Sequence, residues 1–178
     1  MNYRKTKNGL ISIILLLCII SLSSCGLTEL FDKNNIRKTM EAIETSIDSR
    51  NNSSFKNIFA PTVKQNVHES DIDKIFDIFL LGITYKNTDS ENYPATYESK
   101  RGDNYTKNLE WHKEVIDNAT QKEYVMIINI CVENWSEESA IGVKYIILYD
   151  IKHKEDALDW FNSIDELEIL EGIYIYGE

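Results

Sequence analysis

The stretch Tyr124-Val-Met-Ile-Ile-Asn-Ile-Cys-Val132 constrains the fold more than any other part of this chain. β-branched and aromatic residues favour an extended backbone, whose pleat sends successive side chains to opposite faces. Tyr124, Met126, Ile128, Ile130 and Val132 then share one face, and Val125, Ile127, Asn129 and Cys131 share the other. The first face is apolar throughout and the second mostly so. A strand hydrophobic on both sides belongs in the middle of a covered sheet. The β-prone run extends to Trp135, and Val143 to Ile151 repeats its pattern after the polar turn Ser136-Glu-Glu-Ser139.

The chain ahead of this strand reads differently. Ile36, Met40, Ile43 and Ile47 are spaced four, three and four apart, which puts them on one face of a helix starting at Asn35, and the cluster from Asp48 to Ser54 ends it. Ser53 or Ser54 is expected to start a short helical turn through Phe55, Ile58 and Phe59 that Pro61 stops. A third helix is expected near Ser70, whose hydroxyl can cap the Asp73 amide, with Ile72, Ile75, Phe76 and Phe79 as its buried stripe.

Beyond Gly82 the period becomes that of strands. Ile83 to Asn87 is expected as the first, followed by a long polar segment from Thr88 to Asn104 and then a strand from Leu109 to Ile116 with uneven alternation. Asp117 to Gln121 reads as a turn. Lys154 to Asn162 can form a short helix with Ala157, Leu158 and Phe161 inward, and Ile169 to Tyr176 is the last strand. No internal repeat, low-complexity tract or second domain is visible. Helices first and a mainly antiparallel sheet afterwards predict an α+β domain over residues 35–178, with the helices packed on one face of the sheet.

The N-terminal segment bears on location. Arg4, Lys5 and Lys7 precede an apolar run from Leu10 to Leu22, and Leu22-Ser-Ser-Cys25 follows the pattern of a bacterial lipoprotein processing site. The run is about 13 residues against the roughly 20 that a spanning helix needs. Residues 1–24 are thus expected to be a signal peptide, and Cys25 the lipid-bearing first residue of the mature chain, held on the outer face of the cytoplasmic membrane by its acyl chains. Residues 25–34 form a short tether, and even fully extended the eight residues from Gly26 to Lys33 reach about 27 Å.

Charge and cysteine content narrow the function classes. Three of the 19 basic residues and none of the 29 acidic ones precede Cys25, which leaves the body with a formal charge of −13. Such a body repels polyanions, so nucleic acid is not an expected partner and the lipid must bring the protein to the membrane. After Cys18 leaves with the signal and Cys25 takes the lipid, Cys131 remains alone and no intramolecular disulfide is available. Its apolar setting reads as a buried small hydrophobe. His68, His112 and His153 stand far apart without ligand spacing and read as surface or edge residues, so neither a metal nor a cofactor is expected.

The order and length of these elements resemble the cone-shaped nuclear transport factor 2-like fold, of cystatin-like layout, with helices on a curved sheet. Within it the chain looks like a family of small Gram-positive bacterial lipoproteins with no established reaction. The resemblance rests on the lipoprotein start, the helix Ser70-Asp-Ile-Asp-Lys-Ile-Phe-Asp-Ile-Phe79, the strand opening Gly142-Val-Lys-Tyr145 and the ending Gly172-Ile-Tyr-Ile175. It covers most of residues 35–177. It implies no catalytic residue, since that family brings none with it. It does imply that the sheet and helices can enclose a pocket.

Candidate pocket residues are the polar or amphipathic side chains on apolar strands: Tyr85, Trp111, Asn129, Tyr145, Tyr149 and Asp150. Tyr145 and Tyr149 share a strand face, so both can point into a cavity, and each can equally be a core or interface aromatic. Asp150 can be a general base or a solvated turn residue. With no nucleophile, base and orienting group assembled, the expectation is a membrane-tethered binding or interaction module for an unknown protein or small-molecule ligand. An acid–base pocket enzyme and a self-protection lipoprotein that intercepts a toxic peptide are the alternatives. The Tyr-rich tail is a candidate edge for a partner or a homodimer.

Overall fold

The computed structural model describes residues 34–86, 95–163 and 170–176. The signal segment, Cys25, the tether up to residue 33, and the expected strand residues Asn87 and Ile169 lie outside them.

Helix α1 (34–48) follows the apolar spacing, with Ile36, Met40, Ile43 and Ile47 buried. The chain reverses at Arg50, whose guanidinium donates to the Phe76 carbonyl at 2.9 Å and to Asp77 at 2.7 Å. Helix α2 (Asn52–Asn57) is capped by Asn51, not by Ser53 or Ser54: Asn51 is extended and its side-chain oxygen accepts the Ser54 amide at 2.9 Å, while both serines lie inside the helix. Helix α3 (Glu69–Ile78) likewise starts a residue before Ser70. His68 occupies the cap position without a side-chain bond, and Glu69 and Asp71 bring negative charge to the first turn instead. The stripe of Ile72, Ile75, Phe76 and Phe79 is buried as the spacing predicts.

Six strands form one mixed, open sheet, so the chain is an α+β protein. Strands β1 (Ile83–Tyr85) and β2 (Ala95–Arg101) lie along the same edge of the long β3 (Asn104–Asp117), β1 against its C-terminal part and β2 against its N-terminal part. Antiparallel β4 (Glu123–Asn134) and β5 (Gly142–Asp150) follow. The final β6 (Gly172–Tyr176) pairs parallel to β5 after a crossover that contains α4 (Lys154–Asn162). Strand β2 corrects the expectation of a polar segment from Thr88 to Asn104. All but one of its seven residues are exposed, so no alternation marks it in sequence. A two-residue Gly102-Asp103 turn, with Gly102 at a φ of 64°, brings it back onto β3.

The twofold cover that β4 demands is present, but it comes from both sides. Met126, Ile128, Ile130, Ile146 and Leu148 face α1, α2 and α3, where Phe55 meets Phe76 edge-on at 5.7 Å and Phe79 meets Tyr124 at 5.4 Å. Val125, Ile127, Tyr145, Ile147 and Tyr149 face the other way, against Ala157 and Phe161 of α4 and Leu170. The helices are therefore not confined to one face, because β5 and β6 are parallel and their connection has to cross the sheet. Fully burying each large apolar side chain contributes about 1.5–3 kcal/mol, so both layers are strong.

Two irregularities shape the sheet. The β3–β4 register shifts between Lys107 and Asn108, and the β4–β5 register shifts between Asn129 and Ile130, where Lys144 is the extra residue. Close to the second, the end of α2 docks on β5: Val143 donates to the Ile58 carbonyl and accepts from the Ala60 amide, at 3.1 and 3.0 Å. Gly142 makes that approach possible. Its φ is 135°, and a Cβ there would stand 2.8 Å from the Ala60 nitrogen.

Candidate functional site

On the face of the sheet away from α1–α3, β3 places a carboxylate where its neighbours on β4 are apolar. Glu110 lies opposite Asn129 in register and is 4% exposed. A carboxylate so buried is costly unless donors surround it. They converge from four strands. Tyr145 of β5, the register partner of Asn129, donates its hydroxyl to Glu110 Oε2. His112, two residues along β3 and so on the same face, has Nε2 2.9 Å from Oε1. The Asn129 amide and the Tyr97 hydroxyl of β2 bond to the same carboxylate.

Burial alone would raise the Glu110 pKa, but the bonds from His112, Tyr145 and Asn129 together outweigh it and hold the carboxyl below its ordinary range. The tyrosines respond in the opposite sense. Burial first, then the bond to Glu110 and its charge, push Tyr145 well above the usual phenol range, and burial followed by the Glu110 charge raises Tyr97. Both hydroxyls therefore stay protonated as donors, and the carboxylate stays charged.

A cleft of about 520 Å³ opens over this group, walled by β2 on one side and β5 on the other. Tyr97, Asn108, Glu110, Asn129, Lys144 and Tyr145 reach it. Lys144 does so because the bulge turns it to the side of Tyr145. Asn108 presents a buried Oδ1 that accepts no hydrogen bond among the described residues. His112 stands at the border with α4, its ring edge-on to Phe161 at 6.5 Å.

Of the six residues expected to line a pocket, Asn129 and Tyr145 do. Tyr85 and Trp111 are on the opposite face, their rings 6.3 Å apart and packed against the helix-side core. Burial, with the charges of Glu44 and Asp48 behind it, raises the Tyr85 hydroxyl. Tyr149 shares the face of Tyr145, as its strand position predicts, but packs into the α4 layer outside the cleft. Asp150 is the turn residue of the two readings: its side chain accepts the Lys152 amide at 2.9 Å. Cys131 is buried, and that burial raises its thiol pKa. All three histidines are exposed, but His112 is no bystander, because its ring holds the central carboxylate.

Glu110, His112, Tyr97, Asn108 and Lys144 were outside the sequence expectation. The signal for three of them lies in β3, where Asn108, Glu110, His112 and Glu114 form a polar stripe opposed to Leu109, Trp111 and Val115. What looks like uneven alternation is a regular one whose polar side meets Asn129, the one polar residue on the matching face of β4 between Val125 and Cys131.

The arrangement can accept hydrogen bonds and place a charge beside a ligand, and His112 adds an imidazole oriented by a carboxylate. Among the described residues, no three or more His, Cys, Asp or Glu side chains are grouped to hold a metal ion, and no helix is long and apolar enough to cross a membrane. No protein-family model matches the chain, and no curated protein matches it.

Proposed function

We propose that the chain is an exported lipoprotein, acylated at Cys25 and held on the outer face of the bacterial cytoplasmic membrane, whose body is a binding module with its ligand in the cleft over Glu110. One observation carries the binding role: a charged carboxylate, buried to 4% exposure and held by side chains from four strands, sits at the floor of a 520 Å³ cleft. Clefts of that size suit small molecules. The lipoprotein reading is supported by the basic start, the short apolar run and Leu22-Ser-Ser-Cys25. A nuclear transport factor 2-like plan is supported by the helices that precede a largely antiparallel sheet, while the β5–α4–β6 crossover is an addition to it. In that plan a pocket is expected between helices and sheet. Here that space holds Phe55, Phe59, Phe76 and Phe79, and the cleft is on the other face.

Two experiments test this. Cells fed a labelled fatty acid should incorporate it into the protein, and Cys25→Ser should abolish the label; an unlabelled protein recovered from the cytosol would refute the anchoring. A small-molecule panel screened by thermal shift should contain ligands that raise the Tm of the wild-type chain and not of Glu110→Gln. Ligands that shift both equally would refute the cleft as their site.

The 2.9 Å contact between His112 and Glu110 favours a second reading, an acid–base enzyme in which the carboxylate orients the imidazole. The neighbours of His112 among the described residues are Glu110 and Phe161, and no hydroxyl or thiol bonds to it as a nucleophile. Turnover abolished by His112→Asn, with the fold intact, would establish the enzyme; binding without turnover supports the module.

A further inference from the structure

Asn108 is the residue of the cleft whose hydrogen bonding is incomplete. Its Oδ1 is buried and accepts nothing, although such a group costs about 1–3 kcal/mol when left unmet. Tyr97 lies directly across the β2–β3 ladder from it and is 49% exposed, so an aromatic ring open to solvent stands beside the oxygen. Glu110 follows two residues along β3 on the same face, and Glu98 also lines the cleft. A carbonyl oxygen, a ring face and a carboxylate have one property in common: each attracts a positively charged donor.

The state of Glu110 separates a cation from a neutral donor such as a sugar hydroxyl. A carboxylate offers about four acceptor positions. His112, Tyr145, Asn129 and Tyr97 already address them. Glu110 therefore has little capacity for a further hydrogen bond, and it acts on a ligand through its charge. That field rewards a cation and leaves a neutral hydroxyl nearly unaffected. The vacant hydrogen bond is the one at Asn108. Lys144 on the far wall disfavours a second positive centre in the same molecule.

We propose that the cleft recognises the primary ammonium group of a small monoamine, with an N–H donated to Asn108 Oδ1, the Tyr97 ring against the cation and the Glu110 charge behind both. This rests on the reading of the cleft as a ligand site, and deepens it by naming the ligand class.

The test is titration of the purified full-length chain, followed by calorimetry and by backbone NMR shifts, with n-butylammonium, tetramethylammonium, methyl glucoside and butyrate as probes. Butylammonium should bind saturably and shift the amides of β2 and β3 around Tyr97 and Asn108. Tetramethylammonium, a cation with no N–H, should bind more weakly. Asn108→Leu should weaken butylammonium about ten-fold, the loss of one hydrogen bond to a charged group. Tyr97→Leu, on an exposed strand where the fold is not at stake, should weaken it about three-fold through the missing ring. Unchanged affinity in both folded variants would overturn the proposal. Binding of methyl glucoside or butyrate in place of the amine would overturn the ligand class and leave the binding-module reading standing. No saturable binding and no shift in the cleft with any probe would overturn both.

Discussion

The two faces of the β3–β4–β5 ladder are made by the same three strands and are finished in different ways. Towards α1–α3, nearly every strand position is aliphatic or aromatic, and four phenylalanines fill the space beneath. On the other face, α4 covers the part of the sheet near Val125, Ile147 and Tyr149. The remainder, around Glu110 and Asn129, is left to polar side chains and an open cleft. The first face is held by non-directional burial, which tolerates any well-fitting apolar group. The second is held by directed bonds to one charge, where identity matters more than volume. A layer of the first kind contributes stability, and a site of the second kind contributes selectivity.

That contrast can be broken by substitution. The largest effect belongs to the helix side: Phe76→Ala should lower the unfolding free energy by about 3–5 kcal/mol in a denaturant titration, as a cavity opens under Phe55. Gly142→Val comes next. It forces a β-branched residue to a φ of 135° and drives a Cβ towards the Ala60 backbone, for about 2–3 kcal/mol in the same titration, with the α2–β5 contact released.

Glu110→Gln should cost less at neutral pH, about 1.5–2 kcal/mol, because charge-assisted bonds are exchanged for weaker ones. Its signature is the pH dependence. The Glu110 pKa is lower in the folded than in the unfolded chain, so its contribution is complete above the ordinary carboxylate range and is lost as pH falls through the folded value. The gap between wild type and variant should therefore close in acid. A constant gap across that range would mean that the carboxylate is not held ionised by its partners.

The smallest expected effect is the most informative. Asn108→Leu removes a buried oxygen that has no partner, so stability should change by less than about 0.5 kcal/mol or rise slightly. A large destabilisation measured by thermal melting would show Asn108 to be structural, and would move the cleft to the same class as the helix side.

Sequence reasoning reached the helix side better than the cleft for a physical reason. Burial leaves a periodic trace: the spacing of Ile36, Met40, Ile43 and Ile47, and of Ile72, Ile75 and Phe76, identifies α1 and α3 without any partner. The two apolar faces of β4 likewise required cover on both sides, although not which helix would supply it. The cleft depends on which strands become neighbours. Glu110 and Tyr145 are 35 residues apart, and only the registers of β3, β4 and β5 bring them together. Strand β2, which carries Tyr97, has almost no apolar periodicity, so its pairing with β3 had no local sign. Asn129 and Tyr145 were legible as polar groups on apolar strands. Their carboxylate was not, because an acidic residue in a strand normally faces water.

The parallel pairing of β6 with β5 carries a consequence for how such a chain is made. Until Gly172–Tyr176 has been synthesised, β5 has an open hydrogen-bonding flank, and Trp160 lacks the rings of Tyr174 and Tyr176 that it meets at about 6 Å. Acquisition of the native state therefore waits for the last strand, so a chain threading through a translocation channel would still be unfolded when its leading end emerges. The delay that leaves this flank vulnerable to aggregation is the same delay that keeps the polypeptide transportable.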